Sequence, residues 1–205
     1  MTREKDKIFN PLDKMNLGES VEKALLESPA QSLHFNKAFK GAGIYVIYYS
    51  GAFPAYKAIA GQNKGKNPKQ PIYVGKAIPT GGRKGGIDLS ENVGEVLYRR
   101  LMEHAESIQL VKNLDMRDFS CRYLVVDDIW IPLGESLLIT KFSPLWNAVV
   151  DGFGNHDPGA GRYGGMRPSW DTLHPGRKWA EKCKPSKKTE REILKEIADF
   201  LRAGG

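Results

Sequence analysis

The sequence predicts an α/β fold in which a small three-stranded sheet is flanked by helices. Three short runs rich in β-branched and aromatic residues predict the strands. Two longer runs with apolar residues at helical spacing predict the flanking helices. The order along the chain is β-β-α-β-α. We place this core at residues 41–150, between an N-terminal arm (1–40) and a C-terminal extension (151–205) that packs on the core.

The N-terminal arm contains one predicted helix, and the first two strands follow it. Residues 17–26 have apolar side chains at helical spacing and predict the helix. IYVIYY at 44–49 follows a glycine turn and predicts the first strand, whereas IYVGK at 72–76 follows Pro71 and predicts the second. Residues 52–70 form an insertion whose end, GQNKGKNPKQ, has the composition of a surface loop.

A Gly-rich loop at 78–92 leads into the first core helix. The helix is predicted to begin at Val93, with either Ser90 or Asn92 as its cap. Its apolar side chains form one stripe, which is typical of an amphipathic helix: Val93, Val96, Leu97, Leu101, Ala105 and Ile108. Residues 118–126, DFSCRYLVV, alternate in character and predict the third strand.

The second core helix is predicted at 131–142, and a third helix closes the C-terminal extension. Pro132 is tolerated because it falls in the first turn, and Ser143-Pro144 ends the helix. The extension from Asn147 onwards is rich in Gly, Pro and basic residues. It ends in a charged helix at about 188–201.

The positive charge of the chain is concentrated in two segments. The formal net charge is +7 over 205 residues. Seven basic residues and no acidic one lie between Lys57 and Lys84, and eight basic against two acidic residues lie between Arg162 and Lys188. Such clusters suit a polyanion, because each neutralised phosphate releases counterions. A solvated surface kept soluble by its charge is the alternative.

Several protein classes are disfavoured by the composition. No run approaches the roughly 18 apolar residues that a membrane span needs. The charged N-terminus leads into no apolar segment, so it does not resemble a secretory signal. The two cysteines supply neither a zinc site nor a disulfide framework. We therefore expect a cytoplasmic protein without a membrane partner.

Two tripeptides on the first two strands form a recognisable pair, Gly43-Ile44-Tyr45 and Tyr73-Val74-Gly75. Four polar residues follow them in a fixed order: Arg100, His104, Glu135 and Asn147. This set resembles the signature of the GIY-YIG nuclease superfamily. The stretches IYVGKA, DFSCR and VVDGFGNHDPGAGR further resemble the type II restriction endonucleases of that superfamily that recognise the palindrome CCGCGG.

The resemblance carries expectations about fold, reaction and partners. It implies an antiparallel sheet and a type II site-specific deoxyribonuclease that hydrolyses phosphodiester bonds of double-stranded DNA. One metal ion per active site is implied, Mg²⁺ with Mn²⁺ as a substitute, together with water activation by a tyrosine. A homodimer on DNA is implied, and so is a cognate DNA methyltransferase that acts in the same restriction-modification system without direct contact.

For each polar residue on the two core helices, the sequence alone allows two different roles. Glu135, in the apolar helix IPLGESLLITKF, is either a hard oxygen ligand for Mg²⁺ or an acid favoured at a helix N-terminus. Arg100 and His104 are four residues apart and share a helix face. They form either a phosphate- and water-orienting pair or a solvated surface. The resemblance implies that Glu135 binds the metal and that all three are catalytic.

The two motif tyrosines lie on neighbouring strands, where tyrosine usually packs in a core. The resemblance implies that Tyr45 activates the water and that Tyr73 supports it. A phenol titrates near ~10, so it needs cationic surroundings to act as a base at neutral pH. Arg100, His104, Lys76 and the metal are candidates to supply them. Asn147 is either a turn residue or, by the resemblance, a member of the catalytic set whose amide fixes the metal site or the packing around it.

Sequence-specific binding needs cations that reach the bases or the backbone of DNA. Arg or Lys side chains are favoured for reading G·C pairs in the major groove. The candidate DNA-binding residues, which lie in loops or directly after the second motif, are Lys69, Lys76, Arg83, Lys84, Arg162 and Arg167. The residues leave open which of these contact bases and which contact phosphates. A palindrome is most simply read by a two-fold symmetric dimer.

The remaining polar residues predict lesser roles. His156 and Asp157, in the loop GNHDPG, are expected to be structural or to contact the DNA backbone. His34 and His174 show no spacing that identifies a partner, and Asp127-Asp128 is interpreted as a turn at a strand end.

Two other functions remain open from the residues. A non-catalytic DNA-binding protein would use the same basic loops, but the intact motif residues argue against it. A structure-specific repair nuclease on the same core is disfavoured because this compact chain has basic loops of its own.

Overall fold

The sheet has one more strand than the sequence predicts. The computed structural model of the protein describes residues 13–79, 94–159, 161 and 163–204. Its strands are β1 (Gln31–Ser32), β2 (Gly43–Tyr49), β3 (Pro71–Ala77) and β4 (Phe119–Val125). All pairs are antiparallel, and the order within the described residues is β1-β4-β2-β3. The α/β class and the antiparallel sheet are confirmed, and three strands are corrected to four.

The additional strand, β1, comes from the N-terminal arm. It consists of two exposed polar residues that pair with Ser120 and Cys121 of β4. A polar dipeptide carries no alternation of apolar side chains, so no pattern in the sequence predicts this strand.

Strand β2 lies inside the sheet and is buried along its whole length. Tyr45, Ile47 and Tyr49 point into one buried cluster, and Ile44, Val46 and Tyr48 point into a second cluster on the opposite face. This is the predicted alternation of side chains along the strand. Because both faces are covered, β2 reads as a continuous apolar run rather than as an alternating one.

Helices cover both faces of the sheet. In chain order they are α1 (Lys14–Glu27), α2 (Lys57–Gln62), α3 (Val96–Gln109), α4 (Ile131–Phe142), α5 (Leu145–Ala148), α6 (Ser169–Leu173), α7 (Lys178–Glu181) and α8 (Glu190–Arg202). The first cluster contains buried residues of α3, α6 and α8, and the second contains those of α1 and α4. None of these helices in the described part of the chain has the length and apolar character that crossing a bilayer requires.

The predicted helix boundaries agree with the structure at some ends and not at others. Helix α4 has the predicted bounds, and Ser143 ends it in the left-handed region with φ 42°. Helix α3 is described from Val96, whereas the predicted start at Val93 and the two candidate caps fall outside the described residues.

The part of the 52–70 insertion that precedes GQNKGKNPKQ is helical, and the helix extends into only the first two residues of that predicted loop. Pro54–Tyr56 forms a 3-10 turn that continues into α2, and Tyr56, Ile59 and Ala60 are buried. Burial of these apolar side chains stabilises a helix too short to persist alone. The rest of the insertion is an exposed loop in which Lys64, Lys66 and Lys69 lie at the surface.

Candidate active site

Tyr45 and His104 form a buried pair between β2 and α3. The Tyr45 hydroxyl and His104 Nε2 lie 2.6 Å apart in a hydrogen bond, and the residues are 0% and 1% exposed. His104 is therefore held on the inward face of α3, together with Leu97 and Leu101. The solvated-face interpretation of His104 does not hold, because the ring lies in the core against a phenol.

Gly75 explains why the second tripeptide ends in glycine. It pairs with Tyr45 across the β2–β3 ladder. A Cβ at position 75 would overlap the Tyr45 hydroxyl oxygen and would lie 2.5 Å from Cζ. Only a residue without a side chain leaves room for the Tyr45 ring to extend over β3, which is the edge strand of the described sheet. The tyrosine hydroxyl thus reaches this edge.

Tyr73 lies beside the Tyr45–His104 pair in an aromatic group. Its ring centroid is 6.3 Å from that of Tyr45, 5.2 Å from that of His104 and 5.0 Å from that of Phe153. Phe153 in turn stacks on His104, with centroids 4.5 Å apart and an interplanar angle of 18°. The loop that follows α5 therefore closes one side of the histidine.

Arg100 is held one helical turn before His104 by groups of the same loop. Its Nη2 donates to the Gly154 carbonyl oxygen over 2.8 Å, and its Nη1 donates to Glu103 over 3.0 Å and also contacts His156. The side chain remains 20% exposed. Because it is anchored on one side and accessible on the other, the guanidinium is suited to receive a phosphate.

Burial controls the protonation of this group. The pKa of His104 lies well below its ordinary value because the ring is buried and because Arg100, His156 and Arg177 add positive charge nearby. His104 is therefore neutral near pH 7 and can accept a proton at Nε2. Burial raises the pKa of Tyr45 well above its ordinary value, and the adjacent Tyr73 adds to the effect. Arg100 acts in the opposite direction on the pKa of both phenols.

Glu135 approaches the same edge from the other face of the sheet. Helix α4 lies close to β2 at Gly134, where a Cβ would come within 3.1 Å of Ile44. Glu135 Oε2 forms an ion pair with Lys76 Nζ at 2.5 Å, and its side chain is 19% exposed. Burial is the main cause of the raised pKa of Tyr45 and of Tyr73, and the Glu135 carboxylate acts in the same direction on both.

The donor set is suited to one mode of metal binding. In the described residues there is no group of three or more His, Cys, Asp or Glu side chains arranged to hold a metal. Mg²⁺ is commonly held by one or two carboxylates, with water and substrate phosphate as its other ligands. The accessible carboxylate of Glu135 at this edge of the sheet fits that mode and does not fit an all-protein cage.

Asn147 lies beside β3, and both its amide oxygen and its amide nitrogen are hydrogen-bonded to the strand backbone. Asn147 Oδ1 accepts from Val74 N at 2.8 Å, and Nδ2 donates to Val74 O at 2.9 Å. The amide thus pairs with the outer backbone groups of the edge strand between Tyr73 and Gly75. The structure therefore brings Asn147 to the site as a residue that holds the strand.

The predicted DNA-binding residues are dispersed. Arg83, Lys84 and Arg162 lie outside the described residues. Lys69 is exposed in the loop after α2, and Lys76 is paired with Glu135. The Arg167 guanidinium donates to the carbonyl oxygens of Ala180 and Glu181, so it is hydrogen-bonded within the C-terminal extension.

Several residues at the site are missed or given lesser roles by the sequence. His156, expected to be structural or to contact the DNA backbone, contacts Arg100 and lies 3.4 Å from Glu103. Phe153 and Gly154 are not singled out, although the glycine-rich stretch around them is a signal of close backbone approach. His174, for which the sequence identifies no partner, is hydrogen-bonded to Tyr56 and to Asn113.

The comparisons with known proteins identify the family of the chain. The family model described as the Eco29kI GIY-YIG domain matches residues 37–201, which includes the strands β2 to β4, α3, α4 and the loop around Gly154. No curated protein gave a significant match. The matched range covers most of the chain and all six positions of the motif. The chain therefore belongs to the Eco29kI GIY-YIG family and carries a restriction endonuclease-like nuclease domain whose substrate is DNA.

Proposed function

We propose that the protein is a type II restriction endonuclease that hydrolyses double-stranded DNA at a GC-rich palindrome, CCGCGG, with Mg²⁺. The observation that carries the proposal is the buried Tyr45–His104 hydrogen bond at the edge where Arg100 and Glu135 also lie. A second buried tyrosine–histidine bond, Tyr56–His174, lies in the same core, so the feature that favours catalysis over DNA binding alone is the presence of Arg100 and Glu135 at the edge that Tyr45 reaches.

The tyrosine and histidine are suited to pass a proton from water. Neutral His104 accepts the Tyr45 proton at Nε2 while the Tyr45 oxygen takes a proton from the attacking water. The water oxygen forms a bond to phosphorus, and the bond from phosphorus to the 3′ oxygen breaks. The leaving 3′ oxygen then takes a proton from solvent. Because the phenol only relays a proton, its raised pKa does not prevent the step.

The charged residues act on the phosphate. Arg100 binds two phosphate oxygens, because its guanidinium offers paired donors whereas a lysine would offer a point charge. Glu135 would hold Mg²⁺, or Mn²⁺ in its place, and the ion would supply charge relief on the phosphate and the leaving oxygen. Lys76, which neutralises Glu135 in the structure, would then be free to contact DNA.

The rest of the proposal concerns assembly and biology. A palindrome presents the same half-site twice, so a two-fold homodimer on DNA would place one active site on each strand. Lys69 and the other exposed lysines of its loop would contact the phosphates. A restriction enzyme in the cytoplasm requires protection of the host sites by a cognate methyltransferase.

Plasmid digestion tests the proposal directly. Plasmid DNA with mapped CCGCGG sites is incubated with and without Mg²⁺, beside the Glu135→Gln variant, which keeps the shape and loses the charge. We expect discrete fragments at those sites, only with metal and only with the wild type, while both proteins bind the duplex. Fragments at other positions would refute the recognition site. Duplex binding without any cleavage would refute the nuclease.

A further inference from the structure

A buried ion pair lies behind the loop that carries Gly154. Arg177 is 2% exposed, and its guanidinium is paired with Asp171 through Nε at 2.6 Å and Nη2 at 2.5 Å. Its Cζ lies over the rings of Trp170 and Trp179, 4.5 and 4.8 Å from their centroids. Arg177 and Asp171 lie outside the motif, and neither is hydrogen-bonded to Tyr45 or His104.

The remaining donors of Arg177 all point to one loop. Nη1 donates to the carbonyl oxygens of Phe153 at 3.1 Å and Asn155 at 3.0 Å, and Nη2 donates to that of Gly152 at 2.8 Å. With Asp171 these bonds use the full set of five guanidinium donors. Three carbonyls within four consecutive residues are therefore fixed by one side chain.

This loop supplies the contacts that hold the catalytic groups. Its Phe153 ring stacks on His104, and the Gly154 carbonyl accepts from Arg100. A Cβ at Gly154 would lie 2.6 Å from the Tyr73 hydroxyl, so the backbone passes directly against that phenol. A small displacement of residues 152–155 would move the acceptor of Arg100 and the ring that covers His104.

We infer that Arg177, oriented by Asp171, is a positioning residue for catalysis, which fixes the 152–155 loop so that Arg100 and His104 keep their reactive arrangement. The inference rests on the proposed nuclease for its catalytic consequence. Its structural part concerns only the loop and His104. A pair that served stability alone would be replaceable by apolar side chains of similar volume, whereas only a guanidinium serves three carbonyls and a carboxylate together.

The test compares Arg177→Lys with Tyr56→Phe. The lysine keeps the charge and loses the fork of donors. The phenylalanine removes the 2.7 Å hydrogen bond to His174, a buried bond of the same core that does not touch the loop. Three quantities are measured for each protein: the single-turnover cleavage rate at saturating duplex, the dissociation constant of the duplex with Ca²⁺ in place of Mg²⁺, and the melting temperature.

We expect Arg177→Lys to lower the saturated rate by about 30-fold or more, since displacement of a positioned group by about 1 Å costs up to about 100-fold. Duplex affinity should change less than about two-fold. Tyr56→Phe should lower the melting temperature and leave the saturated rate within about two-fold. Equal saturated rates for the two variants, measured at a temperature where both are folded, would overturn the inference.

A second measurement does not depend on cleavage. The pKa of His104 is followed by NMR in the wild type, Arg177→Lys and the milder Asp171→Asn, which retains the volume of the side chain. Because burial lowers that pKa, loosening of the loop should raise it toward about 6.5 in both variants and not in Tyr56→Phe. An unchanged His104 pKa in the folded variants would overturn the inference, and if Arg177→Lys failed to fold, Asp171→Asn alone would decide. If the wild type did not cleave DNA, the proposed nuclease activity would be refuted, whereas the role of Arg177 in fixing the loop would still be tested by the His104 pKa.

Discussion

The same core contains two buried tyrosine–histidine hydrogen bonds of nearly equal length. Tyr45 and His104 lie 2.6 Å apart, and Tyr56 and His174 lie 2.7 Å apart. Burial lowers the pKa of both histidines, that of His174 to about 3. The surroundings differ, because Arg100 lies near the first pair, whereas Asn113 binds the second ring at Nδ1. The chain therefore contains its own control for the chemistry of such a pair.

Tyr45→Phe and Tyr56→Phe form a matched test at the residue scale. Each removes one buried hydroxyl, and each should cost about 1 to 3 kcal/mol of unfolding free energy, since a histidine nitrogen loses its partner. Only Tyr45→Phe should lower the cleavage rate, by about 100-fold or more, because it removes the proton relay. The rates are measured in single turnover and the stabilities by urea unfolding. Similar cleavage by the two variants would refute the role of Tyr45.

At the scale of elements, Asn147 acts on strand β3 as a neighbouring strand would. Its amide satisfies the N–H and C=O of Val74, which the edge strand would otherwise leave to water. Tyr73 and Gly75 flank that residue, so the bond pair fixes the registry of the second tripeptide at the site.

Asn147→Asp tests this contact with the smallest change in shape, because it replaces only the amide nitrogen by an oxygen. The new carboxylate still accepts from Val74 N but faces the Val74 carbonyl oxygen without a donor. We expect a loss of about 2 to 3 kcal/mol in unfolding free energy and at least about a ten-fold lower cleavage rate. Asn113→Asp makes the same change at an amide that binds His174 and Leu173, away from β3. If both variants cleaved equally, Asn147 would not position the site.

The lysine-bearing loop after α2 is held from inside the fold. Asn63 binds the carbonyls of Tyr49 and Gln70 and accepts from two backbone N–H groups of the loop. Arg122 donates to Asn67 and to the Pro68 carbonyl. The backbone is thus fixed while the lysine side chains remain in solvent.

Replacement of Lys64, Lys66 and Lys69 by Gln should weaken duplex binding without changing the saturated cleavage rate. If each lysine neutralises one phosphate, the slope of log affinity against log salt should become shallower by about 0.9 for every lysine replaced. Binding is measured between low and moderate salt. The control replaces the exposed Lys112, Arg191 and Lys195 by Gln and alters net charge equally. Equal weakening of binding in the two triple variants would exclude a specific role for the loop.

The elements with the most regular patterns are predicted best. Helix α4 and strands β2 to β4 follow their apolar patterns to within about a residue, and the motif tyrosines, Arg100, His104 and Glu135 meet at one edge. Short elements such as β1 and α2 depend on tertiary contacts, which no local pattern encodes. Arg177 and Phe153 reach the site across long sequence separations, so only the fold reveals their part in it.

For the whole molecule, two neutral buried histidines couple stability to pH. In the unfolded chain His104 and His174 titrate near about 6.5, whereas in the folded chain both pKa values are lowered. Below that pH the unfolded state binds more protons, so stability is complete above about 6.5 and is lost as pH falls. Asp171, whose carboxyl pKa is raised by burial, acts in the opposite direction.

We expect the unfolding free energy to fall between about pH 6.5 and 5, by up to about 1.4 kcal/mol per pH unit for each histidine. Urea unfolding at a series of pH values measures the slope. His174→Gln removes one of the two groups and should reduce the slope by about half over the same range. A slope equal to that of the wild type would show that His174 does not contribute to the pH dependence of stability.

The close approach of Gly75 to the Tyr45 ring makes position 75 a means of stopping the reaction without touching its charges. Because a methyl group there would overlap the phenol oxygen, Gly75→Ala must turn the ring away while Glu135, Lys76 and Arg100 keep their full complement of charge. Such a variant should capture the uncut duplex together with its divalent ion, which a charge-removing substitution at Glu135 would not do. It would give crystallographers a stalled complex with native electrostatics.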